Sequence, residues 1–303
     1  MSRLGKSDLN ANANANANAN ANANANASSS SVTGFATNVR YNSQEFAKLL
    51  RPGQFPSEPL SPAHNTAYNT AQAAVNKVKF RKYWDAELRA SVYLNEFLTQ
   101  NAKWMDTLIS ALAPKYAELQ QNKGLQLRGV IEVADEREER FLEIIDQDGD
   151  GVIKYWLAML MIDAGSAPAT YQLIRVARRV GEVVVMCLKN HYQEARPSQV
   201  CPAIMPLLGP PVHPSFPAGH AIQSHLISTC LFEAGRARNQ REMLFDLSRR
   251  ISQNRVIAGV HYEADIDAGF IAADECFKLL KEGELFTELL SDARKEAESE
   301  SVV

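Results

Sequence analysis

The chain has 303 residues, 46% of them apolar and 22% charged, a globular balance that leaves room for a sizeable core without a disulfide or metal staple. Thirty-two Lys and Arg stand against thirty-five Asp and Glu, for a net charge of −3. Bulk charge therefore excludes a nucleic-acid binder, and any anion site must be local.

Four cysteines (Cys187, Cys201, Cys230, Cys276) form no CxxC pair, which argues against a zinc ribbon or a redox dithiol. The start, MSRLGKSDLN, lacks the apolar stretch of a signal peptide. No apolar run approaches the length of about 18 residues that a membrane span needs. The expectation is a soluble, cytoplasmic protein with free thiols and no transmembrane segment.

In chain order, residues 10–27 alternate Asn and Ala and lead into Ser28–Ser31, so a disordered tail is expected over 1–34. Four prolines between Arg51 and Pro62 preclude a helix there. From about 66 onward apolar residues recur at helical spacing. The predicted helices are Ala67–Tyr83, Ala86–Gln100, Lys103–Gln121, Leu125–Ile145, Tyr155–Asp163, Pro168–Lys189, His220–Ala234, Asn239–Val260 and Ile266–Lys281. No βαβ alternation is visible, so the class is all-α. The expected division is the tail, an N-terminal helical region over 35–150, a core over 151–285 and a charged C-terminal helix or tail over 286–303.

Asp146, Asp148 and Asp150 fall at positions 1, 3 and 5 of a calcium-loop pattern, with Gly151 at position 6. Position 12, which calls for a bidentate Glu, is Leu157. Two readings stand: an acidic, glycine-rich turn between helices, or a weak calcium site over 146–157.

Three short segments carry chemistry when read together: Lys189 to Arg196-Pro197, Pro217-Ala218-Gly219-His220, and Arg255 through His261 to Asp265. Lys189 and Arg196 are seven apart, two helical turns, and Pro197 should end the helix at Arg196. Gly219 and His220 open an apolar helix whose first N–H groups favour an anion. Asp265 follows His261 by one turn and can accept from the imidazole Nδ1–H. Two Arg, one Lys and a helix N-terminus suit a tetrahedral oxyanion. An oriented His can be a nucleophile or a ligand, and a second His is free to be the general acid.

This succession resembles the type 2 phosphatidic acid phosphatase (PAP2) and vanadium haloperoxidase superfamily over residues 189–265. The resemblance implies a helical bundle of that type, here with an N-terminal helical extension. It implies that Lys189, Arg196 and Arg255 hold the equatorial oxygens and that the main chain of Gly219 and Ala218 donates to another. His261 would form a phosphohistidine, Asp265 would fix its tautomer, and His220 would protonate the leaving alcohol and then activate water. In the haloperoxidase version the same residues hold vanadate, with His261 as its axial ligand. Two positions depart from the family pattern: Ala218 and Asn254 each stand where Ser is usual.

The first expectation is a soluble, metal-independent phosphatase acting on a small phosphate ester, with no cofactor. The alternative is a vanadate-dependent haloperoxidase acting on halide and peroxide, and a third reading is a non-catalytic oxyanion binder. The proline-rich stretch 196–217 should shape the pocket mouth. His64, His191, His213 and His225 match no required position, and Cys187 and Cys230 read as core residues.

Overall fold

Eleven α-helices run through the described residues of the computed structural model, which are 82–148, 150–236 and 241–300, and no strand occurs among them. The all-α expectation holds. Expectations for the tail, the stretch 51–62, His64 and most of the helix at 67–83 lie outside these residues. The described chain falls within one unit, Arg81–Val303.

The helices are α1 (Ala86–Gln100), α2 (Trp104–Gln121), α3 (Lys123–Glu132), α4 (Arg137–Asp146), α5 (Lys154–Leu160) and α6 (Pro168–Tyr192). They continue as α7 (Pro197–Val200), α8 (Gly219–Glu233), α9 (Arg241–Ile257), α10 (Glu263–Leu280) and α11 (Glu284–Glu300). The single helix expected at 125–145 is two, because residues 133–136 tighten into a 3-10 turn. The last helix, α11, buries Phe286, Leu289, Leu290 and Ala293.

Local chemistry accounts for the helix starts. Asp85 caps α1 by accepting from the Leu88 N–H, and Pro168 opens α6 where no N–H is needed. Two further starts are capped from a distance. Glu96 of α1 accepts from the Leu285 and Phe286 N–H groups of α11. Glu296 of α11 accepts from the Ala169 and Thr170 N–H groups of α6. Each carboxylate also meets the positive end of a helix dipole, so the two caps tie α1, α6 and α11 together.

Helix α8 is the centre, packed by α6, α9 and α10. Its sequence is apolar on most sides, which suits a helix covered all round. One of its hydroxyls ties it to two neighbours: Ser228 donates to the Leu244 carbonyl at 2.7 Å and accepts from the Trp156 indole at 3.1 Å. No helix among the described residues is long and apolar enough to cross a membrane.

The N-terminus of α8 meets α10 at Gly269. A Cβ there would lie 2.5 Å from Ala221 Cβ and 3.0 Å from the Ala218 carbonyl oxygen. Both neighbours are main chain or its first carbon, so neither can swing away. Gly269→Ala is expected to cost about 1–3 kcal/mol through overpacking, read as a lower thermal midpoint. An unchanged midpoint would mean that α8 and α10 have room to part.

Candidate active site

Lys189, Arg196, Arg255, His261 and Asp265 are brought together, each 4% exposed or less. Lys189 lies in the last turn of α6, which stops at Tyr192 because Gln193 turns left-handed at φ 50°. The helix therefore ends four residues before Arg196, the end expected from Pro197. Arg196 arrives instead from an extended stretch at φ −74° and ψ 155°, the conformation a residue before proline prefers.

The cations are gripped by carbonyl groups. Lys189 Nζ donates to the Pro214 and Ser215 oxygens at 2.5 and 2.6 Å. Arg196 donates to the Val260 oxygen at 2.6 Å and the His213 oxygen at 3.1 Å. Arg255 donates to the Ile144 oxygen at 2.8 Å, while its buried Nε has no protein partner. The Asp148 carboxylate, largely exposed, stands 3.6 Å from the other end of Arg255.

The turn after α9 delivers His261. Gly259, at φ 81°, reverses the chain as a glycine readily does, and the Gly259 and Val260 N–H groups close the helix end. His261 Nδ1 then lies 2.8 Å from Asp265 Oδ2, which also accepts from the Tyr262 N–H at 3.0 Å. Burial, then Lys189 and Arg196, hold the imidazole well below its ordinary value. The ring is therefore neutral, and its Nδ1–H donates to Asp265. Its unprotonated Nε2 lies 3.4 Å from the Arg196 guanidinium.

His220 opens α8 and keeps a partly open face. Burial and Arg255 push it down to about 3, so it too is neutral without an anion. Its Nε2 lies 3.0 Å from the Gln147 carbonyl oxygen. Burial and the neighbouring Arg196 also lower Lys189, and burial raises Asp265.

One expected donor is spent elsewhere. The Ala218 N–H donates to the Asp265 carbonyl at 2.9 Å and so cannot serve an oxyanion. Ala218 also supplies no side-chain cap, and the first N–H of α8 to find a helical partner is that of Ile222. The N–H groups of Gly219, His220 and Ala221 are thus left for a ligand. Ser215 is turned away as well: its hydroxyl donates to Asp265 Oδ2.

In the acidic loop, Asp146 is engaged by Lys154 and Tyr155, and Asp148 faces Arg255. Leu157 packs against the core. Among the described residues no cluster of three or more His, Cys, Asp or Glu is placed to hold a metal ion. Asp150 begins a 3-10 turn.

Gln147 and His213 are not singled out as site residues by the sequence. His213 Nδ1 lies 3.1 Å from Arg196, though its only sequence signal was its place just before the second motif. His225 sits between Phe245 and Phe270, away from the site, with Asp274 at 3.2 Å. His191 lies against Tyr192. All four thiols are free, and those of Cys230 and Cys276 are buried.

Residues 173–274 match the family model of the PAP2 superfamily. All three motifs lie inside it. Among solved structures the chain is similar to the first transmembrane PAP2 type phosphatidylglycerolphosphate phosphatase from Bacillus subtilis. The identity is 16% and the TM-score 0.44, covering 59% of this chain and 95% of that one. No curated protein matches the sequence.

The charge states predict a pH response. Below pH 6.5 an unfolded chain takes up protons on both imidazoles, whereas the folded, anion-free chain does not. The raised Asp265 opposes this by a single proton. Above neutrality the lowered Lys189 acts in the same direction as the imidazoles, since the unfolded chain holds its proton longer. The thermal midpoint of anion-free protein is expected to rise from pH 5 to pH 9, a range set by the ordinary His and Lys values. Excess inorganic phosphate should flatten that rise by restoring the cationic forms. A midpoint that falls with pH would overturn the neutral assignments.

Proposed function

We propose that the chain is a metal-independent phosphoric ester hydrolase working through a phosphohistidine on His261. The observation that carries this reading is the excess of buried positive charge: Lys189, Arg196 and Arg255 are each 1% exposed or less, and among the described residues Asp265 is the one carboxylate buried as fully. Such an interior favours an anion, because each buried cation otherwise lacks a full counter-charge.

Lys189, Arg196, Arg255 and the Gly219 N–H take the non-bridging oxygens of the phosphoryl group. The His261 Nε2 lone pair attacks phosphorus while its Nδ1–H stays on Asp265, which stabilises the positive ring. The new N–P bond forms as the ester P–O bond breaks, and the leaving oxygen takes a proton from His220. Water then attacks the phosphohistidine, His220 recovers a proton from it, and phosphate leaves with His261 restored. Substrate charge favours this: burial holds His220 down first and the cations second, and a bound phosphate offsets the cations and so raises it toward the range of a working acid.

The test is a paired assay on one sample. Hydrolysis of 4-nitrophenyl phosphate in the presence of chelator, with no bromination of a dye after loading with vanadate and adding peroxide and bromide, supports the hydrolase. Bromination without hydrolysis overturns it in favour of the haloperoxidase. His261→Ala is expected to lower kcat by at least about a thousandfold with the fold retained, as loss of a nucleophile does. Retained turnover would remove His261 from that role.

A further inference from the structure

The His220 ring is oriented from outside the matched segment. A carbonyl oxygen only accepts, so the 3.0 Å contact with Gln147 puts the proton on Nε2 and leaves the lone pair on Nδ1. Gln147 is fully buried and follows the last residue of α4. What holds it there is Asn254, one of the two positions that depart from the family pattern.

Asn254 is itself fully buried near the end of α9. Its amide donates to Gln147 Oε1 at 2.8 Å and to Glu143 Oε1 at 2.9 Å. Its oxygen accepts from Arg140 at 3.2 Å, and Gln147 Nε2 donates to the same Glu143 oxygen at 2.9 Å. The next residue, Arg255, donates to the Ile144 carbonyl, and Ile144 packs with Ile257, Ala258 and Val260. Two consecutive residues of α9 therefore grip the last turn of α4. A serine at 254 has one hydroxyl hydrogen and cannot make both donations.

We propose that Asn254 is a positioning residue for His220, acting through Gln147 to hold the carbonyl that keeps the ring in its Nε2–H tautomer. The catalytic consequence rests on the role given to His220 above; the tautomer itself does not. The centre of this network, Asn254 and Gln147, is fully buried, so a partner left there without its hydrogen bond costs more than the bond contributes.

The experiment is NMR of full-length protein labelled with 15N-histidine, with kinetics on 4-nitrophenyl phosphate beside it. In the wild type His220 should be protonated at Nε2 and His261 at Nδ1. Asn254→Leu removes both donations at similar volume. It should give His220 a mixture of tautomers and lower kcat by about tenfold or more, the usual range for a residue that orients a ligand or catalytic group, with KM changed by less than about twofold. The His261 signal should not move, since Asp265 is untouched. Gln147→Met cuts the tie from its other end, should reproduce the effect, and serves if the Leu variant does not fold. A single Nε2–H tautomer retained in either variant overturns the proposal, whatever happens to stability. If the wild type hydrolyses no phosphate ester, the functional reading fails, while the tautomer shift still decides the positioning role.

Discussion

Lys189, Arg196 and Arg255 carry positive charge into the interior, where among the described residues Asp265 is the one carboxylate buried as fully as they are. Desolvating them is costly, and the chain offsets the cost mainly with dipoles. The carbonyl groups of Ile144, His213, Pro214, Ser215 and Val260 accept from the three side chains. Dipoles satisfy the hydrogens without cancelling the charge. The interior therefore stays positive, and that single fact sets the chemistry around it. After burial, which is the larger cause, it helps keep both imidazoles neutral until an anion arrives, and it favours that arrival.

The helices serve to keep that charged volume closed and correctly shaped. Gly269 lets α10 approach α8 closely, which presents the start of α8 beside His261 and Asp265. The main chain makes the same junction, since the Ala218 N–H donates to the Asp265 carbonyl. The loss of a serine hydroxyl at 218 is thus confined to one donor, and the exposed N–H groups of α8 remain. On the far side, Glu96 and Glu296 cap helices remote in sequence and so fix α6, on which Lys189 rides.

The matched family segment does not build the site alone. The last turn of α4 and the residues after it supply the Ile144 carbonyl to Arg255, the Gln147 carbonyl to His220 and the Asp148 carboxylate facing Arg255. The acidic loop thus lies against the candidate site, with Asp148 facing Arg255. Asp148 lends Arg255 partial charge compensation from the solvent side, at a distance that leaves the guanidinium available.

The sequence by itself determined most of the helices and the order of the chemical groups. Both are set by local rules: apolar residues at helical spacing, Pro168 at a helix start, and Asp265 one turn after His261. The family pattern is legible for the same reason, since each of its three pieces lies at a helix end or at the turn between two helices. Only the tertiary structure decided how the remaining hydrogen bonds are spent. That Ser215 serves Asp265, that Lys189 is held by the Pro214 and Ser215 carbonyls, and that Asn254 reaches Gln147 follow from contacts between distant positions, 107 apart in the last case. Hydrogen-bond partners at such separations depend on how the helices pack, and no spacing along one chain encodes that directly.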